Sequence, residues 1–191
     1  FCLVAPALAN EGVFMVVKGD VRLQPKGGAE QKVKVGSKVK EGDVVIAGKD
    51  ARAKIVMVDK NVLNISPDTK IAIEKYKFDE AKDQKNVSLN VLYGKVRSTV
   101  NQKYDGEKNQ FNIKTPSAVA GVRGTDFVTG YNRANSQTKI VTFEGQVMTG
   151  SGMDAGGRIM NPVAVNPGQF TVASAGSAPT PPAAVPKSEL A

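Results

Sequence analysis

The chain predicts an all-β protein: a single elongated β-roll, solenoid-like or sandwich-like domain of glycine-pivoted strands, followed by a disordered tail. Three observations point there. Apolar and polar residues alternate with a period of two over segment after segment, clearest in residues 50–58, where Ala51, Ala53, Ile55 and Met57 oppose Arg52, Lys54, Val56 and Val58. Val, Thr, Gly and Lys dominate, which favours strands and turns over helices. A motif of Gly, a polar residue and Val recurs mid-strand in Lys18-Gly-Asp-Val21, Tyr93-Gly-Lys-Val96 and Glu144-Gly-Gln-Val147. The unequal spacing excludes a fixed-period array and suggests instead corners of a coiled sheet, each bent at its glycine.

Taken in order, residues 12–23 read as a strand pair broken at Gly19-Asp20, and residues 25–28 as a turn. Residues 32–40 alternate strictly. They predict a half-buried strand with Val33 and Val35 on one face and a ridge of Lys32, Lys34, Lys38 and Lys40 exposed. Gly42-Asp43 makes a turn before a buried strand at 44–46. The turn Asp59-Lys60-Asn61 lacks a glycine, so Asn61 is the expected residue at positive φ. Strands follow at 62–65 and 70–78, the second carrying Tyr76 and Phe78 on the side of Ala72. A charged loop at 79–86 leads to a strand over 87–100 that pivots at Gly94. Asp105-Gly106 has the composition of a hairpin tip, and residues 111–115 alternate as a strand. Residues 127–131 and 138–143 form a hairpin, residues 151–157 a flexible tip, and residues 163–165 and 167–172 the last strands.

The ends differ from this pattern. Phe1-Cys-Leu-Val-Ala-Pro-Ala-Leu-Ala9 reads as the close of a secretory leader with cleavage at Ala7-Leu8-Ala9, the alternative being an ordinary apolar first strand. Cys2 then belongs to the discarded piece, and the mature protein is expected in the periplasm or at the cell surface. From Ala173 to Ala191 the chain turns to Ala, Ser, Pro and Gly, the composition of a disordered or polyproline linker. The expected organisation is therefore a leader over 1–9, one β domain over 10–172 and a tail over 173–191. No later segment is long and apolar enough to span a bilayer.

Composition narrows the chemistry. The 191 residues contain no His and no Trp, which removes imidazole-based triads and most metal sites. The net charge is +8, carried by Lys far more than Arg and without aromatic interleaving. That argues against a nucleic-acid reader. It fits an anionic or acidic partner in the envelope, or a solvated surface that protects sheet edges.

The densest local signal is Thr115-Pro-Ser-Ala-Val-Ala-Gly-Val-Arg-Gly-Thr-Asp-Phe127. Pro116 biases Thr115 towards extended geometry. Ala118, Gly121 and Gly124 allow close backbone approach or bulges, and Val122 and Phe127 supply apolar teeth. Arg123 is the sole cation of the run. Its guanidinium is either exposed or turned inward onto carbonyls and Asp126, next to Thr125; the inward, structural placement is the expectation.

This stretch resembles the signature of the FecR domain family, exported β-rich modules of bacterial envelopes, and the resemblance extends over residues 12–172. Val35-Gly36, Gly42-Asp43, Gly48 and Glu144-Gly-Gln-Val147 follow the family's spacing, while Asp59-Lys60-Asn61 departs from its usual Asp-Gly. The resemblance implies a non-catalytic module without cofactor. Family members that regulate σ factors carry a helical domain and a membrane helix ahead of the β module. A leader here instead implies the stand-alone exported form, so direct σ-factor control is not supported.

Other chemistries have thin support. Gly121-Val-Arg-Gly124 has the G-x-x-G form of an RNA-clamping loop but lies among strand signals rather than helices. No phosphate loop or Ca²⁺ loop is present in the sequence. Asp79 and Glu80 sit in a lysine-rich loop, which suits solvated ion pairs better than a hydrolytic dyad. Thr115, Ser117 or Thr125 as a nucleophile would need Lys114, which the alternation points to solvent. The reading is an exported envelope module that binds a protein or anionic polymer by edge-strand pairing or charge, with no metal. Alternatives are a glycan binder using Tyr76, Phe78, Tyr93 and Tyr131 as stacking rings, and the periplasmic part of a signalling system.

Overall fold

The computed structural model describes residues 11–186. The expected leader, with Cys2, and the last five residues lie outside the described residues. Every regular element among the described residues is a strand.

The first half of the chain contributes β1 (Gly12–Lys18), β2 (Val21–Gln24), β3 (Gln31–Lys32), β4 (Lys38–Val39), β5 (Val44–Ala47), β6 (Arg52–Met57), β7 (Val62–Ile65), β8 (Thr69–Asp79) and β9 (Gln84–Thr99). The second half contributes β10 (Gln110–Lys114), β11 (Val119–Val122), β12 (Asp126–Asn132), β13 (Gln137–Glu144), β14 (Val147–Gly150), β15 (Gly152–Met153), β16 (Ile159–Met160), β17 (Val163–Val165), β18 (Gln169–Ser174) and β19 (Ala183–Ala184).

Pairing resolves seventeen of these into two open layers that share one strand, while β15 and β16 form a separate hairpin. The first runs β4-β1-β6-β7-β9-β12-β13-β18-β19, all antiparallel. The second runs β3-β2-β5-β8-β9-β10-β11-β14-β17, antiparallel except for β9 with β10. Residues 94–99 of β9 belong to the first layer and residues 84–93 to the second. The arrangement is an open sandwich, not a closed barrel. One core lies between the layers, with Phe14, Ile55, Ile71, Leu89 and Phe127 fully buried; each such side chain contributes about 1.5–3 kcal/mol.

The glycine corners lie where the recurring motif puts them. Gly19, Gly94 and Gly145 all have positive φ, and at each the chain leaves one layer for the other. The valine two residues on from each glycine (Val21, Val96, Val147) is buried. Gly94 is the tightest. Its φ is +87°, and an added Cβ would overlap Thr69 Oγ1, the carbonyl of Asp68 and Thr69 Cα. Next to this pivot the Thr69 hydroxyl accepts from Lys95 N at 2.9 Å and donates to the Lys95 carbonyl at 3.3 Å, and Ser66 N donates to the same carbonyl at 3.1 Å.

Five expectations are corrected. Residues 32–40 are not one strand: a turn at Val35-Gly36, with Gly36 at φ +88° and Ser37 N bonded to the Lys34 carbonyl, carries the chain from the edge of one layer to the edge of the other. Val35 is accordingly 60% exposed. Asn61 does not take positive φ; Lys60 does, because Asn61 is wholly buried in polar contacts. A bulge between Ile73 and Lys75 turns Tyr76 to the interior beside Ile71 and Ile73 rather than to the side of Ala72. Asp105-Gly106 tips no hairpin: the connection leaves the first-layer end of β9 and returns to β10, which pairs in parallel with the second-layer half of the same strand. The C-terminal segment up to residue 186 lies along the first layer. Ala183 and Ala184 pair with β18, Thr180 N donates to the Val172 carbonyl, and Val185 is buried.

Threonine is unusually frequent inside. The hydroxyls of Ser98, Thr125, Thr129, Thr142 and Thr149 are buried without a hydrogen-bond partner among the described residues, a cost that an isosteric apolar side chain avoids. Thr129→Val should therefore raise stability by about 1 kcal/mol in urea titration, and a lowered midpoint would contradict this. Gly94→Ala should cost roughly 3 kcal/mol or more, combining positive-φ strain with backbone overlap. Gly157, at φ +77° with open space around it, is the control that isolates the φ cost alone, about 1–2 kcal/mol.

Candidate functional site

The signature stretch builds the floor of a surface groove of about 970 Å³. Its first part is a turn. Thr115 N donates to the Ala118 carbonyl at 2.9 Å, the Thr115 hydroxyl accepts from Ala118 N at 3.0 Å, and Pro116 sits exposed at the tip. Ser117 is buried, its hydroxyl donating to the Ala173 carbonyl at 3.1 Å. Gly121 then faces outward, where an added Cβ would meet Ile159 Cδ1 at 2.9 Å. The missing side chain lets the β15–β16 hairpin lie down over β11, and Ile159, Met148 and Met153 form the apolar lining. Thr125 and Phe127 are buried.

Arg123 is exposed, contrary to the inward expectation. Asp126 is already held by Arg97 through two bonds, Nε to Oδ1 at 2.9 Å and Nη2 to Oδ2 at 2.6 Å, from the neighbouring strand of the first layer. With its nearest acid taken, Arg123 extends over the loop 101–109, where a Cβ on Gly106 would stand 3.2 Å from Nη2. It has no ion-pair partner among the described residues and stands at the groove with Gln110, Asn112 and Arg158, the last paired to Asp154 at 3.0 Å.

The loop 101–109, which forms one wall, is fastened by a buried polar cluster that the sequence did not announce. Asp59 accepts from Tyr76 OH at 2.8 Å, from Asn61 Nδ2 at 2.8 Å and from Tyr104 OH at 3.2 Å. Asn61 Oδ1 accepts from Asn101 N at 2.8 Å, and Gln102 Nε2 donates to the Asp59 carbonyl at 2.9 Å. Burial raises the Asp59 carboxyl above the usual range, only partly offset by donors from Tyr76, Asn61 and Tyr104. Burial and the Asp59 charge likewise push both phenols up, so they remain donors. The only trace of this cluster in the sequence is a turn without glycine and a lone Tyr in a polar loop.

The remaining candidates are scattered. Lys114 binds Glu74 at 3.2 Å on the outer face of β10, while Ser117 is turned to the interior, so no Ser–Lys pair forms. Asp79 pairs with Lys82 at 3.4 Å. Lys32, Lys34, Lys38 and Lys40 lie along the β3–β4 connection rather than on one ridge. Tyr76 is interior, so the four rings form no platform. Tyr93 and Tyr131 do share a cleft of about 870 Å³, yet Arg133 covers the Tyr93 ring at 3.8 Å.

The cluster gives the groove wall a pH dependence. A buried carboxyl whose folded pKa is raised holds its proton longer in the folded state, so its favourable contribution is full below the unfolded pKa and is lost as pH rises through the folded one. Measured against Asp59→Asn by urea titration, the wild type should gain relative stability as pH falls from neutral through the folded pKa of Asp59. A difference independent of pH would contradict the assignment.

Comparison with known proteins gives one family and one fold. The family described as "FecR protein" matches residues 43–148, more than half of the chain. Two crystal structures of a "putative anti-sigma factor" from Parabacteroides distasonis ATCC 8503 superpose with TM-score 0.57 at 11% identity, covering 77% of this chain and 62% of theirs. The chain thus spans about three fifths of the length of those structures, and at this identity the likeness is one of fold. A "cell surface anchoring domain" superposes over 32% of this chain with TM-score 0.32, too low to carry an argument. No curated protein matches.

Proposed function

This chain belongs to the FecR protein family, and from that membership we propose that it is a non-catalytic, exported binding module of the bacterial envelope, serving in signalling through contact with another protein. The family's regulatory, envelope-associated character supports the general role. The observation that carries the specific reading is Arg123: the one cation of the signature stretch stands outward at a groove, without an acidic partner among the described residues, while its neighbours in sequence are consumed by the fold. An exposed guanidinium beside methionines and amide side chains suits a protein segment that brings a carboxylate and an apolar side chain. The anti-sigma designation of the similar structures belongs to those proteins; it supports a regulatory reading here and does not identify the partner.

An anionic polymer is a second reading, favoured by the net charge of +8. The two separate by position. Photocrosslinkers placed at Gln146 in the groove and at Lys54 on the outer face of the other layer should differ in living cells, with a discrete protein adduct from the groove alone. Arg123→Glu should reduce that adduct at least tenfold without altering the melting temperature, since Arg123 carries no structural bond. Equal adducts from both positions, or an Arg123→Glu protein that crosslinks as well as wild type, would overturn the proposal.

A further inference from the structure

The strands of the two layers carry the same charge, seven cations and two acids each, but the cations of the first layer are more often left without an acidic partner. In the strands as a whole, acids are confined to Glu74, Asp79, Asp126 and Glu144, while cations occur on nine of the nineteen strands; most acids sit in turns and corners. On the strands of the second layer four of seven cations have an acid within ion-pair distance, Lys70, Lys75 and Lys77 being the exceptions among the described residues. Arg22 pairs with Asp20 at 2.9 Å and Glu30 at 3.5 Å, Lys32 approaches Asp20 at 4.0 Å, and Lys114 binds Glu74 at 3.2 Å. On the first layer Lys18, Lys38, Arg52, Lys54 and Lys95 have no acid within ion-pair distance among the described residues, while Arg97 is matched by Asp126.

The outer face of the first layer carries apolar side chains between the cations. One row reads across the layer in register as Val16, Lys54, Asn64, Arg97, Val128 and Val141. Val16 is 47% exposed, and Met15 and Val58 nearby are 52% and 51% exposed. Arg97 lies over the Phe143 ring at 4.6 Å and Lys139 over Phe170 at 4.6 Å, which holds both cations flat against the sheet. Nine strands at the usual spacing give a face about 40 Å across. A broad face with five unpaired cations, Lys18, Lys38, Arg52, Lys54 and Lys95, among half-exposed aliphatics matches a planar anionic surface with an apolar layer just beneath it.

We propose that this face docks on the surface of an anionic phospholipid bilayer. The basic side chains take the headgroup phosphates while the valines and Met15 rest against the glycerol region. The signature groove lies on the other layer, so docking leaves it directed away from the lipid and open to a protein. The proposal uses a surface separate from the groove and stands or falls independently of it.

Sedimentation with phosphatidylcholine vesicles, with and without a phosphatidylglycerol fraction, tests it at low salt. The full chain should bind only the anionic vesicles, and a Lys18→Gln/Lys54→Gln/Lys95→Gln variant should lose about fivefold per cation removed. The matched triple Lys32→Gln/Lys70→Gln/Lys77→Gln on the other layer should retain binding within about twofold. The chain has no Trp, so Val128→Trp reports contact directly, through a blue shift on anionic vesicles and quenching by brominated lipid; circular dichroism verifies that each variant is folded. Failure to bind anionic vesicles would overturn the proposal. So would equal losses in the two triples, which indicate diffuse net charge, or a bound Val128→Trp protein without a blue shift. Equal affinity for soluble polyglutamate would assign the face to an acidic macromolecule and overturn it as well.

Discussion

The structure depends on one strand serving two sheets. Among the described residues β9 is the only strand with neighbours in both layers, β8 and β10 on one side of Gly94 and β7 and β12 on the other. A residue with a Cβ cannot hold φ +87° against the Asp68 carbonyl and Thr69 backbone without displacing them. The bend leaves the Lys95 backbone beside a break in the ladders, and Thr69 and Ser66 supply donors and an acceptor there. Packing then follows: once β9 turns, the inward rows of both layers face each other, and alternation on every other strand sends its apolar set into one core.

The two halves of the sandwich are filled differently. Around β6, β7 and β8 the interior is mainly Ile, Leu, Ala and Met, with a buried polar knot at Asp59. Around β12, β13 and β14 threonines replace aliphatics, and several of their hydroxyls find no partner. The knot fastens the loop 101–109 that borders Arg123, so rigidity at the groove originates in a carboxyl two strands away. The groove and the cationic face lie on opposite layers, which lets one small module meet two surfaces at once.

Much of this was legible in the sequence. Period-two alternation located Ala51, Ala53, Ile55 and Met57 as inward residues, and the repeated glycine motif located three layer crossings, because both signals are local. The family was legible in the signature stretch for the same reason. What was not legible depended on distant partners. The alternation of residues 32–40 was genuine, yet the chain there changes layer at Val35-Gly36. Arg123 was expected inward because Asp126 is near in sequence, but Arg97 reaches that acid first from a strand paired in register. Tyr76 was assigned to the wrong face by one bulged residue, which inverts every side chain after it. The proline-rich composition after Ala173 concealed backbone bonds to Val172 and Gly168.

The two-layer architecture follows from the register of β9, and nuclear Overhauser contacts along that strand measure it directly. It predicts cross-strand contacts from Val91 to Ile71 and, in the same molecules, from Arg97 to both Asn64 and Val128. If the ladder over residues 84–93 were intact while Arg97 contacted neither Asn64 nor Val128, β9 would not join the two layers and the sandwich described here would be wrong.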